Sequence, residues 1–551
     1  MSAEALHAEG TALLAKLDRD GAILKYEAAL ALDPLHLPSL VDLGVAKYWQ
    51  RDYARAIELF TAALTQRPAD RAIAINLAHA LADDMRHVAA ERLWRALIAD
   101  DPSLAHAHYQ LGSALMWQMR HREAREAFRR AIDLSQGPVR RKMWRAYLNA
   151  FLYDDAVHPQ EIRSRNAEFV AELPKPATPI VFANSRDPGR KLRIGYSSAD
   201  FRAHSAARSF RALFEFRDRA NFEIHVYSEA AAEDSVTHEF RALTDGWRST
   251  VGLDGAQAAA MIRNDGIDVL VTMAQHFDDN RLDIPVMRAA PVQINAFDVA
   301  TSGSDVFDAF LAEPTMAAAR GDAFTERVMR SRRVYVHAPL EAAPPVAAPP
   351  SAAGANIAFG SANNPIKISG RAIMLWARVL AAVPGSTLRL KFYNAYREEA
   401  TRLGLLNRFA AHGIGPDRIV FELGGVETDG HLRFYERVDV ALDATPFTGS
   451  TTTFEALWMG VPVVTPPGRT ILSRWTAGML TRVGRADLIA TSDDHFVALA
   501  AEQAASAKHQ DRAALREAVR NSALCDPRKQ ARDFERIYRA LWRRYCAKAG
   551  A

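Results

Sequence analysis

The chain has 551 residues, 49% hydrophobic and 24% charged, with a formal net charge of +4. That length exceeds what one hydrophobic core can organise, so several domains of ordinary globular composition are expected. The small net charge argues against a dedicated nucleic-acid binder, and two cysteines, Cys525 and Cys546, argue against a disulfide framework or a Cys-based zinc site and fit a reducing compartment.

The first residues lack a basic segment followed by an apolar one, so no signal peptide is expected. No stretch reaches the ~18 apolar residues of a membrane span. The reading is a cytoplasmic protein.

The first 140 residues repeat. Pro34, Pro68 and Pro102 stand 34 residues apart. On that ruler a small residue recurs (Gly10, Gly44, Ala78, Gly112), then a second (Ala22, Ala56, Ala90, Ala124), then an aromatic four later (Tyr26, Phe60, Trp94, Phe128). Small residues let paired helices approach, the aromatics fill the gap between neighbouring units, and proline ends each pair. A period of 34 with these classes in register looks like a tetratricopeptide (TPR) array of about four repeats, over residues 1–137. Its concave face would bind a peptide or protein partner. Residues 138–189 read as a helical cap and linker.

From about residue 190 short apolar strands alternate with helices: 191–198, 222–229, 267–274 and 291–297 are expected strands of a first lobe, 190–337. The Pro/Ala-rich run 338–355 reads as a linker. Alternation restarts in a second lobe, 356–551, with strands at 356–362, 386–393, 418–424, 438–444 and 461–466 and C-terminal helices. The expected fold class is therefore multidomain: an α-helical solenoid followed by two Rossmann-like α/β lobes, with ligands bound beyond the carboxyl ends of the strands.

Within the second lobe, VDVALDATPFTGSTTTFEALWMGVPVV (438–464) runs from a strand through a Pro/Gly turn into Ser450, Thr451, Thr452 and Thr453 at a helix start. Hydroxyls and backbone N–H groups under the positive end of a helix dipole suit a diphosphate, and Glu455 could accept from two ribose hydroxyls. The same hydroxyls are also good helix caps, and the residues alone leave both readings open. Lys367, after a strand end in FGSANNPIKIS (359–369), could place a charge on a departing diphosphate, although a single lysine is most often solvated. His204 precedes a helix in the first lobe and His431 sits on one in the second; singly, each is more often a surface residue. No Walker A, HExxH or GxSxG motif is present, and no cluster has metal-ligand spacing.

These segments resemble the O-GlcNAc transferase/SPINDLY family of protein glycosyltransferases. The motifs are LRIGYSSADFRAH (192–204), HFDDNRLDIPVMRAAPVQIN (276–295) with TSG (301–303), NNPIKIS (363–369), LDATPFTGSTTTFEALWMGVPVVTPPGRT (442–470) and SRWTAGML (473–480). The resemblance implies a bacterial-branch, metal-independent, inverting GT-B enzyme. It would move a sugar from a nucleotide-sugar co-substrate to Ser/Thr of a protein recruited by the TPRs, with UDP-GlcNAc as default donor and no cofactor. It assigns His204 to the active-site histidine and Lys367 to the donor diphosphate, with Asn364 in the same donor loop. Thr451 and Thr452, flanked by Ser450 and Thr453, match the phosphate-binding pair, Glu455 the ribose ligand and His431 a residue near the base.

The chain departs from the family at Ser450, where animal members carry histidine, at DGWRST (245–250), which lacks another, and at FDVATSG (297–303), which replaces GYPGTSG. Those departures keep three other readings in play. One is a GDP-fucose donor. Another is a flagellin glycosyltransferase using a CMP-linked nonulosonic acid. The third is a TPR scaffold without turnover.

Overall fold

The computed structural model describes residues 2–277, 280–318, 324–424 and 428–548. Asp278 and Asp279, in the middle of one motif above, lie outside them. By its internal contacts the chain divides into two units: residues 1–147 with 391–408 and 421–424, and the remainder.

The first unit is built on four helix pairs: α1 Ala3–Ala15 and α2 Arg19–Leu32, α3 Leu37–Trp49 and α4 Tyr53–Gln66, α5 Arg71–Asp83 and α6 His87–Asp100, α7 Ala105–Trp117 and α8 His121–Asp133. The period is written into the backbone as well as the side chains. Leu17, Arg51, Met85 and Met119, each 34 residues from the next, close the first helix of each pair at φ between 60° and 65°. This left-handed position is where a helix C-terminus turns.

The recurring aromatic serves its own repeat. A Cβ on Gly44 would sit 2.6 Å from the Phe60 ring, and Gly10 with Tyr26 and Gly112 with Phe128 show the same distance. The glycine is thus the floor on which the aromatic of the second helix lies, rather than a spacer between neighbouring repeats. Residues 391–408 join this unit through named bonds. The Glu398 carboxylate accepts from the Val88 and Ala89 amides in the first turn of α6, at 3.1 and 3.0 Å. Arg397 donates to Asp84 at 2.8 Å, and Arg408 donates to the Gln118 carbonyl at 3.0 Å. Sequence reading had placed these residues in the second lobe.

Two further helices, α9 Gly137–Phe151 and α10 Pro159–Ala171, precede the sheets. The second unit holds a seven-stranded sheet ordered β3-β2-β1-β4-β5-β6-β7. Its strands are β1 Leu192–Ser198, β2 Phe222–Ser228, β3 Gly246–Ser249, β4 Val269–Met273, β5 Val292–Ala296, β6 Ala309–Ala312 and β7 Val328–Arg330. All neighbours pair in parallel. The fully buried runs of β4 and β5 are what a sheet covered on both faces requires. Helices α11 Ser205–Glu215, α12 Ser235–Ala242, α13 Gly255–Asn264 and α14 Asp283–Val286 connect them.

The second sheet runs β10-β9-β8-β11-β12. Its strands are β8 Ala358–Ser361, β9 Thr387–Lys391, β10 Ile419–Glu422, β11 Val440–Leu442 and β12 Val463–Val464. The helices around it are α15 Gly370–Ala382, α16 Glu399–Ala410, α17 Thr428–Leu432, α18 Thr451–Trp458, α19 Trp475–Val483, α20 Asp493–Ser506, α21 Arg512–Arg520 and α22 Pro527–Ala547.

Two expectations change at the lobe junction. The Pro/Ala-rich run is fastened rather than loose: Ser351 donates to Asp439 at 2.7 Å, and Arg516 donates to the Pro344 carbonyl at 3.0 Å. The last helix, grouped by sequence with the second lobe, packs on the first. Gln530 donates to the Ser209 and Val334 carbonyls at 2.8 and 2.9 Å, and the Tyr538 and Tyr196 hydroxyls meet at 2.8 Å. Phe534 stacks on Phe297 at 5.5 Å. Burial of this apolar stripe along α22 draws the chain end back across the lobes. Among the described residues no helix is long and apolar enough to cross a membrane.

Candidate functional site

The loops at the carboxyl ends of β8 and β11 meet at one place. β11 ends at Leu442, and the buried carboxylate of Asp443, the next residue, shapes the turn that follows. One oxygen accepts from the Ala444 and Gly449 amides at 2.9 and 2.7 Å, and the other accepts from the Thr465 hydroxyl at 2.8 Å. Burial pushes this carboxyl above its ordinary range, against those hydrogen bonds and the nearby charge of Lys367. The turn delivers Ser450 to the N-cap of α18 with no side-chain capping bond, so its hydroxyl is not used as a cap.

Lys367 enters from the β8 side. Its ammonium donates to the Thr448 carbonyl at 3.1 Å and lies 4.1 Å from the centre of the Phe447 ring. Phe447 is itself stacked on Tyr153 at 5.0 Å. Removal from water pushes the Lys367 ammonium down to about 8, with Asp443 pulling the other way. A cation is thereby held beside the amino end of α18, where the helix dipole adds positive potential.

The remaining second-lobe candidates divide by what they touch. Thr452 donates to Asn363 at 3.2 Å, and its carbonyl accepts from Tyr435 at 2.9 Å. Thr451 opens the helix half-buried. Thr453 is buried, and its hydroxyl meets that of Thr476 at 2.9 Å, so its side chain faces the interior. Asn364 caps a short 3-10 turn, its side-chain oxygen accepting from the Ile366 amide at 3.0 Å. His431 and Glu455 form a pair at 2.9 Å across α17 and α18. Six of the predicted residues (Lys367, His431, Ser450, Thr451, Thr452, Glu455) therefore sit at or beside the start of one helix, while Asn364 caps a short turn and the Thr453 side chain joins α18 to α19.

His204 stands in the other lobe, as the N-cap of α11 beyond the carboxyl end of β1. Its Nδ1 lies 3.3 Å from the Ala206 amide and 3.3 Å from the buried Asp200 carboxylate. Asp200 is backed by Asn280, whose amide reaches it at 3.4 Å and whose oxygen accepts from the Ser198 hydroxyl at 2.8 Å. Neither Asp200 nor Asn280 was singled out from sequence. Their signal was a polar residue just after an apolar strand (Asp200) and a polar residue inside the HFDDNRLD motif (Asn280).

A second missed group lies beside them. His276, buried three residues beyond β4, meets both Asp298 oxygens through Nδ1 at 2.7 and 2.8 Å, and Asn166 of α10 through Nε2 at 2.9 Å. Asp298 belongs to the divergent 297–303 loop. That loop is also tied by Glu326, which accepts from the Thr301 and Ser302 hydroxyls, each at 2.5 Å, and from the Ser302 amide at 2.8 Å. At Gly303 (φ 71°) a Cβ would sit 2.4 Å from the Ala167 amide nitrogen of α10, so only glycine fits.

Aromatic contacts close the lobes on one another: Phe277 with Phe447 at 6.2 Å, Tyr335 with Trp475 at 4.3 Å and His337 stacked on Phe454 at 4.4 Å. Among the described residues, no group of three or more His, Cys, Asp or Glu side chains is arranged to hold a metal ion. The arrangement can receive an anion at the start of α18, and His204 stands in the other lobe beyond the carboxyl end of β1.

The sequence profile of glycosyl transferase family 41 matches residues 167–336 and 350–534. A SPINDLY protein of Petunia hybrida, described as a probable UDP-N-acetylglucosamine–peptide N-acetylglucosaminyltransferase, is 32% identical over 375 residues, 66% of this chain and 40% of that protein. A SEC protein of Arabidopsis thaliana, described in the same words, is 24% identical over 392 residues, 68% of this chain and 40% of its own length. The chain thus matches less than half the length of these relatives. Among solved structures, a mutant of Thermobaculum terrenum O-GlcNAc transferase shares the fold with a TM-score of 0.77 and 26% identity. The match covers 99% of this chain and 98% of that one.

Proposed function

The chain belongs to glycosyl transferase family 41, and from that premise we propose that it transfers a sugar from a nucleotide-sugar, UDP-GlcNAc by default, to a Ser/Thr hydroxyl of a protein recruited by the TPR array. The observation that carries this reading is the placing of Lys367 and the open start of α18 at one point, with the His431–Glu455 pair beside it. The diphosphate would lie on the Thr451 and Thr452 amides and hydroxyls, against the Lys367 ammonium. Charge that develops on the departing diphosphate is met by donors already in position, which is where electrostatic catalysis gains most.

The reaction needs no metal on this account, because Lys367 and the helix dipole supply the counter-charge. The acceptor oxygen attacks the anomeric carbon from the face opposite the diphosphate, so configuration inverts. The C–O bond to the diphosphate breaks as the new one forms, and the hydroxyl proton leaves to a base. His204 is the candidate for that base: with its Nδ1–H directed to the Asp200 carboxylate, Nε2 is the nitrogen that takes the proton.

A calorimetric panel of UDP, GDP, CMP and their sugars against wild type and Lys367→Ala tests the proposal. One nucleotide should bind tightly and bind more weakly to the variant. Failure of every nucleotide to bind would replace the enzyme with a scaffold, and selective binding of CMP or GDP would replace the donor.

A further inference from the structure

A cavity of about 390 Å³ opens at the other rim of the first-lobe sheet. Its wall includes Val292, the first residue of β5, with Asp308 and Arg327, which stand immediately before β6 and β7. These are amino ends of parallel strands, whereas His204 follows the carboxyl end of β1 in the same sheet. A five-residue strand separates the two rims by roughly 15 Å. The cavity is therefore distinct from the donor site.

Its lining is strongly basic: Arg186, Arg288, Arg327, Arg544 and Lys548, with Asp308 as the single carboxylate. Asp308 is already engaged, accepting from Arg288 at 3.2 Å and from the Gln293 amide at 3.0 Å. Arg288 is spent as well, on the Val306 and Pro291 carbonyls at 2.6 and 2.9 Å. Arg186 lies 4.8 Å over the Tyr545 ring. Arg186, Arg327, Arg544 and Lys548 have no carboxylate partner among the described residues. Four like charges gathered around one hollow repel each other, and among the described lining residues the single carboxylate, Asp308, is already paired with Arg288. The α22 fold-back is what creates the cluster, because it carries Arg544 and Lys548 to the first lobe.

We infer that this cavity binds a small soluble anion bearing two neighbouring phosphates, at a site separate from the donor cleft. Arg327 and Arg544 supply planar donor forks suited to phosphate oxygens, and Lys548 adds a point charge. The volume is in the range of small-ligand pockets and excludes a folded partner.

Pyrophosphate is the probe, titrated calorimetrically into the full chain at low ionic strength, where exposed charges are least screened. Three proteins are compared: wild type, Lys367→Ala, and Arg327→Glu with Arg544→Glu. Wild type should show a binding event that persists with unchanged affinity in Lys367→Ala, where the donor site is impaired, and weakens at least about tenfold in the charge-reversed pair. A neutral pair, Arg544→Gln with Lys548→Gln, should show the same loss and covers the case in which reversal disturbs folding. Binding that is lost in Lys367→Ala but intact in the charge-reversed pair would overturn the inference, as would no binding to wild type. So would sedimentation with phosphatidylserine vesicles that pyrophosphate fails to reverse, which would mark a surface patch rather than a pocket.

Discussion

Replacing Lys367 by alanine removes one unit of positive charge from the start of α18. The ammonium stands 3.1 Å from the Thr448 carbonyl, two residues before the N-cap of that helix. A phosphate seated there would be about 4 Å from the charge. At an effective dielectric constant of ~20 such a pair is worth about 4 kcal/mol, close to 10³-fold in rate. Some of that attraction already exists with the bound donor, so kcat/KM is expected to fall by about 10²–10³.

The pH dependence supplies an independent readout. Burial holds the Lys367 ammonium at about 8, against 10.5 for an ordinary lysine. Only the protonated form stabilises the diphosphate, so kcat/KM of the wild type should bend downward near pH 8 and lose about tenfold per further unit. Between about 8 and 10.5 the unfolded chain binds the extra proton, so this group makes the fold more stable as pH rises. Unfolding driven by this lysine therefore cannot imitate the bend. The assay is kcat/KM for the nucleotide-sugar from pH 6 to about 9.5, with melting followed by circular dichroism at each pH. The alanine variant should be slow, folded and without the bend near 8. A variant within about threefold of wild type, or a wild-type profile flat through that range, would refute the reasoning.

Other substitutions probe the remaining parts. His204→Ala should lower kcat by about 10²–10⁴ while leaving nucleotide affinity, measured by calorimetry, unchanged. Glu455→Gln weakens the 2.9 Å pair with His431 and should raise KM for the donor by about tenfold with little effect on kcat in steady-state assays. Phe60→Ala empties the space over Gly44 and should cost about 3–5 kcal/mol in the urea unfolding of the repeat unit, without changing nucleotide affinity. Asp298→Ala leaves the buried His276 Nδ1 without its carboxylate and should cost about 1–3 kcal/mol in chemical denaturation.

What could be read from the sequence was whatever depends on spacing within a short stretch. The 34-residue period gave the helix pairs because each repeat makes the same local contacts, Gly44 under Phe60 and its counterparts. Strands set in longer apolar runs were legible, β11 and β12 among them, but β3, β6 and β7 were not. The start of α18 and Lys367 were legible as a hydroxyl-rich helix start and a strand-end lysine. Polar groups buried elsewhere in the lobes were not, because their bonds span the chain: His276 and Asn166 are 110 residues apart, and Arg482 of α19 reaches Glu313, just after β6, at 2.6 Å. The same distinction bears on the divergent 297–303 loop. Its sequence departure suggested a weakened site, yet Asp298, Thr301 and Ser302 are each tied to residues outside the loop, and Gly303 is pressed on α10. A loop fastened at four of its seven residues has exchanged the groups it presents without giving up its rigidity. Its effect should therefore fall on which sugar or acceptor fits, and the loss of turnover that looseness would bring is not the expected consequence.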